Sequence, residues 1–171
     1  MNKNNCVFLI KGYKIRSIAA KDDAAIAKII RTNLQHFHLD IPGTAYFDPE
    51  LDHLSTFYAE RSDKRAYFIV TNEDDKVVGG VGFAEFEGLP KCAELQKLYL
   101  DETVKGLGLS KEMMKIVEVC AKKLGYEQLY LETHTNLAVA VCLYEKLGYE
   151  SVPQPVPTVH TTMNRFYLKK I

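Results

Sequence analysis

No excess of charge of either sign is present. The 171 residues carry 22 Lys plus Arg against 22 Asp plus Glu, a formal net charge of zero. A nucleic-acid binder usually shows a basic excess, so that class is set aside unless a local basic face exists. Long hydrophobic runs are also missing. The N-terminal stretch "MNKNNCVFLIKGYK" holds one apolar run of five residues, too short for a secretory signal core or a membrane span. Cysteine is sparse, and Cys6, Cys92, Cys120 and Cys142 form no CxxC pair. All four read as small buried hydrophobes of a protein in the reducing cytosol, with a catalytic cysteine as the other reading. Internal repeats, low-complexity tracts and linkers are missing too. One domain over residues 1–171 is therefore expected, with a core from about 13 to 171. Apolar residues at 47% and charged residues at 26% fit a soluble globular domain.

What is there reads as alternating elements. "YKIRSI" from Tyr13 alternates as a strand. Asp22 or Asp23 is a natural N-cap for a helix carrying Ile26, Ile29, Ile30 and Leu34 at helical spacing. Pro42 and Gly43 break it. Pro49 opens a second, shorter helix through Leu51, Leu54, Phe57 and Tyr58. "RAYFIVT" and "VVGGVGFAEF" form a hairpin across "NEDDK", and "CAELQKLYL" is a third strand. The next helix stops at Gly125. A strand "EQLYLET", a helix "LAVAVCLYEKLGY" stopped by Gly148, a proline-broken loop and a closing strand "NRFYLKK" complete the chain. The order β-α-α-β-β-β-α-β-α-β predicts an α/β fold: a mixed, mostly antiparallel sheet with one parallel β-α-β crossover and helices on both faces.

The junction "LYLDETVKGLGLSKEMM", Leu98 to Met114, carries the chemistry. It does not fit GxxxxGK[ST]. It fails GxGxxG because Lys111 stands at the third glycine, and it fails GxSxG because Glu112 follows Ser110. What remains is a strand that turns through glycines into a helix, which offers free backbone N–H groups at the positive end of the helix dipole. Lys105 adds a formal charge. A glycine turn that only redirects the chain is the plain alternative.

The junction also resembles the GNAT superfamily of acyl-CoA-dependent N-acyltransferases. The pattern R/Q-x-x-G-x-G/A reads here as Lys105-x-x-Gly108-x-Ser110, and "LYLETHTNLAVAVCLYEKLGYE" is similar to the family's later strand-helix-strand segment. Lys105 replaces the usual Arg, and Ser110 the usual Gly or Ala. The resemblance implies acetyl-CoA as cosubstrate, with its pyrophosphate held by Lys105, Gly106, Leu107, Gly108, Leu109, Ser110 and Lys111. Its pantetheine arm would lie along Leu98, Tyr99 and Leu100 beside a splayed neighbouring strand. The family's helix asparagine falls at Leu137 here, and Asn136 beside it is the substitute cofactor contact.

Transfer to an amine needs a proton acceptor. With an ammonium pKa of about 10.4, keeping the amine neutral at pH 7 costs roughly 4–5 kcal/mol. Glu94 is the expected base by resemblance, and strand alternation predicts that Glu94, Gln96 and Leu98 share a face. Glu85 on the preceding strand is the reserve. A backbone N–H near Leu100 would meet the oxyanion, and Tyr144 of "LYEKLGY" matches the family's general acid. His36 and His38 lack a third metal ligand, so no metal is expected. Tyr46 and Phe47 would line a pocket or cap the core, and His160 reads as a loop histidine that could reach the site. The expected function is acetyl-CoA-dependent N-acetylation of a small-molecule or peptide amine by direct attack. The alternatives are a non-catalytic acyl-CoA sensor on the same fold and a nucleotide-binding protein. Neither nucleic acid nor membrane is an expected partner, and a homodimer is left open.

Overall fold

The computed structural model describes residues 7–171, so Cys6 lies outside the described residues. Eight strands form one sheet: β1 (Phe8–Ile10), β2 (Tyr13–Ser17), β3 (Ala66–Thr71), β4 (Val77–Phe86), β5 (Cys92–Leu100), β6 (Gln128–Thr133), β7 (Glu150–Ser151) and β8 (Arg165–Lys170). Four α-helices accompany them: α1 (Asp23–His36), α2 (Leu54–Glu60), α3 (Leu109–Lys123) and α4 (Ala138–Lys146). The strand order is β1-β2-β3-β4-β5-β6-β8-β7. β5 and β6 pair in parallel, and the other described pairs are antiparallel. The expected mixed sheet is present, with β1 and β7 added at its edges.

Alternation along β3 explains the layers. Phe68 and Val70 face one core with Leu95, Leu109, Met113 and Val117, while Tyr67 and Ile69 face the other with Ile26, Ile30, Leu34 and Leu54. Helices therefore cover both faces, as the pattern of apolar residues required. Two sequence expectations change. Pro49 does not start the second helix. A 3-10 turn at Leu51–His53 precedes α2, which begins at Leu54. The cysteines are not uniformly buried either. Cys92 is buried, and burial pushes its thiol up to about 12, whereas Cys120 is half-buried and Cys142 exposed.

The decisive irregularity is a bulge in β5. Gly82 faces Gln96 and Gly80 faces Tyr99, so Lys97 and Leu98 together oppose Val81. Lys97 adopts φ +51, a left-handed conformation that a lysine rarely takes. The extra residue reverses the alternation. Leu98 consequently joins Leu95 and Leu100 on the α3 face, not Glu94 and Gln96. Tyr67 secures this point, since its hydroxyl donates to the Lys97 carbonyl at 2.8 Å. Its ring lies so close under β4 that a Cβ at Gly80 or Gly82 would come within 2.5 Å of it.

Tyr67→Phe keeps the ring and leaves the Lys97 carbonyl without that donor. The expected loss of unfolding free energy is about 1–2 kcal/mol, read by urea denaturation. An unchanged midpoint would show that the bulge holds without this bond.

Candidate active site

β5 and β6 pair only through Cys92–Gln128, Ala93–Leu129 and Glu94–Tyr130 among the described residues. β5 then runs on to Leu100, while β6 turns its pairing to β8 as far as Thr133. The two strands part where the resemblance called for a splay. A cleft of about 470 Å³ opens between them. Its walls include β5 from Glu94 to Leu100, Glu132 and Thr133 of β6, and Leu143 and Tyr144 of α4. On the α1 side, Asn33 donates its side-chain N–H to the Leu100 carbonyl at 3.0 Å.

One end of the cleft is formed by the glycine turn into α3. Lys105, Gly106, Gly108, Leu109 and Ser110 line it. Gly108 is the N-cap of α3 at φ +76, and Gly106 sits at φ +79. A Cβ added at Gly106 would meet nothing within 4 Å, so that backbone stands open. The first N–H groups of α3 have no intrahelical carbonyl to bind and lie at the positive pole of the helix. Lys105 is paired with Glu102, and its ammonium lies 5.6 Å from the centre of the Phe37 ring. A second cation was not foreseen. Lys11, in the β1–β2 turn, donates to the Leu107 carbonyl at 2.7 Å. A Cβ on Gly108 would stand 3.3 Å from its ammonium. A pyrophosphate fits this cradle of open backbone and two lysines. Leu107 is 41% exposed, and neither it nor Lys111 is among the residues lining the cleft. Asn136 turns its side-chain amide to the Phe37 carbonyl at 2.9 Å.

The other end holds titratable groups. Burial raises the Glu94 carboxyl above the usual range, and neighbouring Glu132 adds to this against the opposing N–H of Gln96. That N–H reaches Glu94 Oε2 at 2.7 Å, and Gln96 Oε1 accepts from the Tyr58 hydroxyl at 2.8 Å. His160 comes from the loop before β8 and lines the cleft, with Nε2 2.8 Å from Asp48 Oδ1. Burial works to lower the imidazole pKa, and the Asp48 carboxylate outweighs it, so the net shift is upward. Buried Lys97 lies 2.6 Å from Asp48 and 3.1 Å from Glu50. Tyr144 is buried among Tyr149 and Tyr167, and burial pushes its hydroxyl well above the ordinary range. Glu85 stands elsewhere, bound by Arg65 through two contacts of 2.7 Å that hold its carboxyl low.

Glu94, Tyr144, Leu98, Tyr99, Leu100, Lys105, Gly106, Gly108, Leu109 and Ser110 thus share one cleft. Sequence reading missed Lys11, Asp48, Lys97 and Glu132 and undervalued His160. The available signal was Glu132, an acidic residue near the end of a strand parallel to the one that bears Glu94.

The sequence profile of the Acetyltransferase (GNAT) family matches residues 31–149. The chain belongs to the GNAT family. A relative, the uncharacterized N-acetyltransferase YjgM of Escherichia coli K12, is 35% identical over 140 residues, covering 81% of this chain and 82% of the relative. A GNAT acetyltransferase from Staphylococcus aureus Mu50 superimposes with a TM-score of 0.80 at 18% identity, covering 92% of this chain and 98% of that one. The PaiA N-acetyltransferase of Thermoplasma acidophilum, solved with coenzyme A, gives 0.72 at 17% identity, with coverage of 93% and 99%. This GNAT chain is an N-acetyltransferase. None of its described helices is long and apolar enough to cross a membrane.

In this GNAT chain Gly108→Val places a branched side chain at a left-handed position facing Lys11. Acetyl-CoA affinity is expected to fall by more than about tenfold, or about 1.4 kcal/mol, while the strain costs folding about 1–3 kcal/mol. Calorimetric titration beside thermal unfolding separates the two losses. Unchanged affinity would reduce the loop to a chain reversal.

Proposed function

We propose that the protein transfers the acetyl group of acetyl-CoA to a primary amine by direct attack, with Glu94 as base and Tyr144 as acid. One observation carries this reading: a high-pKa carboxyl, a buried tyrosine and an anion cradle line the same cleft where β5 leaves β6. The Thermoplasma neighbour was solved in complex with coenzyme A, which supports acetyl-CoA as the cosubstrate.

Acetyl-CoA supplies the thioester: a C–N bond forms to the amine as the C–S bond breaks. Glu94 takes the proton that the ammonium must shed. Its raised pKa narrows the gap to that ammonium, so the proton moves at lower cost than to an ordinary carboxylate. The backbone near Leu100 offers an N–H to the carbonyl oxygen as it gains charge. Tyr144 donates its proton to the departing thiolate and recovers one from solvent. A binding module or sensor would need neither Glu94 nor Tyr144 in the cleft. We place the enzyme in the reducing cytosol on its sparse cysteines without a CxxC pair.

Glu94→Gln preserves size and one hydrogen-bond acceptor. The expected outcome is a fall in kcat of about 10²–10⁴-fold with acetyl-CoA affinity held, measured on any amine turned over in an acetylation screen. Equal kcat would move the base elsewhere.

Tyr144→Phe should lower kcat with little change in stability or cofactor affinity. Because burial raises the hydroxyl pKa, Tyr144 stays protonated well past the ordinary tyrosine value of about 10. The loss should therefore be a constant factor from about pH 6 to about pH 9. Superimposed profiles for parent and variant would make Tyr144 a packing residue.

A further inference from the structure

At the Glu94 end of the cleft, three side chains bring possible ligand atoms close together. A carboxylate oxygen of Glu94, one of Glu132 and a ring nitrogen of His160 lie within 4.8 Å of one another. They come from β5, β6 and the loop before β8, so the fold and not local spacing assembles them. Each is held from behind by residues outside the trio. Gln96 donates to Glu94 at 2.7 Å. Tyr130 and Thr158 donate hydroxyls to the two Glu132 oxygens at 3.0 and 2.9 Å. Asp48 engages His160 Nε2 at 2.8 Å, and buried Lys97 fixes Asp48 in turn. Metal-ligating histidines commonly give one ring nitrogen to a carboxylate, as His160 does to Asp48.

We propose that Glu94, Glu132 and His160 form a binding site for a divalent cation of the zinc class, and that its occupation silences the transferase. One imidazole and two carboxylates suit zinc, cobalt or nickel, whereas calcium and magnesium favour all-oxygen sets. Metal–ligand bonds of about 2.0–2.2 Å ask the three atoms to approach to roughly 3.5 Å. The ligand atoms already lie within 4.8 Å of one another, so the closure asked of them is small. Two carboxylates balance the dication, and a four-coordinate ion of this class would complete its shell with water. An ion there takes the lone pair with which Glu94 would accept the amine's proton. It also fills the end of the cleft that the amine must enter. The silencing rests on the transferase reading; the site itself does not.

The test is a titration of the full chain with cobalt(II) chloride, followed by visible absorption. A Cys142→Ser background removes the one exposed thiol among the described residues. One cobalt per chain with a d–d band, displaced by zinc chloride, is expected. Glu132→Gln and His160→Gln, each checked by thermal unfolding, should each weaken uptake by more than about tenfold. In an acetylation assay zinc should compete with the amine and not with acetyl-CoA. No band, or uptake unchanged in both variants, overturns the site; acetylation that proceeds normally in that case leaves the transferase reading intact. Zinc uptake without inhibition overturns the silencing. A cobalt band beside failure to acetylate any amine supports the site and removes the transferase reading.

Discussion

Lys97 is the residue on which the site depends. Its backbone adopts a left-handed conformation in the middle of a strand, and its ammonium is buried between Asp48 and Glu50. Neither condition is favourable alone. A non-glycine residue at positive φ costs of order 1–3 kcal/mol, and a buried ammonium survives only with partners. The surrounding structure supplies the compensation: Tyr67 holds the carbonyl, two carboxylates hold the charge, and glycines on β4 let the tyrosine ring approach. The return is geometric. The bulge turns Leu98 away from Glu94 and lets β5 continue while β6 departs. Leu98 to Leu100 and Glu94 therefore lie at two ends of one strand.

The same lysine organises the charge. Asp48 serves Lys97 and His160 together, so the loop between α1 and α2 and the loop before β8 meet at one carboxylate. His160 in turn faces Glu94 and Glu132. Three chain segments far apart in sequence thereby meet at the Glu94 end of the cleft, and His160 and Lys97 both act on the Glu94 carboxyl. Burial, with Glu132 beside it, raises Glu94 against the lowering pull of Gln96, His160 and Lys97, while Glu85, one strand away and clasped by Arg65, is lowered. Two glutamates of similar sequence setting differ because one lies between a carboxylate and a buried wall and the other against a guanidinium.

What the sequence disclosed follows from what local patterns can encode. The β3–β4 hairpin and the stops at Gly125 and Gly148 depend on neighbouring residues, and all were legible; both glycines sit at positive φ. The turn into α3 was legible because Gly106 and Gly108, both at positive φ, mark it in the sequence. The short edge strands β1 and β7 carry too few residues to show a period. The start of α2 moved because Asp48 and Glu50 bend the chain toward Lys97, a residue 47 positions from Glu50. The bulge escaped notice since one inserted residue leaves no mark in the pattern of "CAELQKLYL" yet reverses every face beyond it. Glu132, Asp48 and His160 were hidden for a related reason: no period relates residues brought together only by tertiary packing.

Three paired residues join β5 to β6, so the sheet is nearly two sheets. β1 through β5 form one, and β6, β8 and β7 the other, tied beyond those rungs by shared packing of Tyr144, Tyr149 and Tyr167 with the central core. A chain-like ligand lying along β5 from Leu98 to Leu100 would occupy the place of the missing rungs. The substrate would then act as a temporary strand, and the mechanical continuity of the sheet would rise and fall with each turnover.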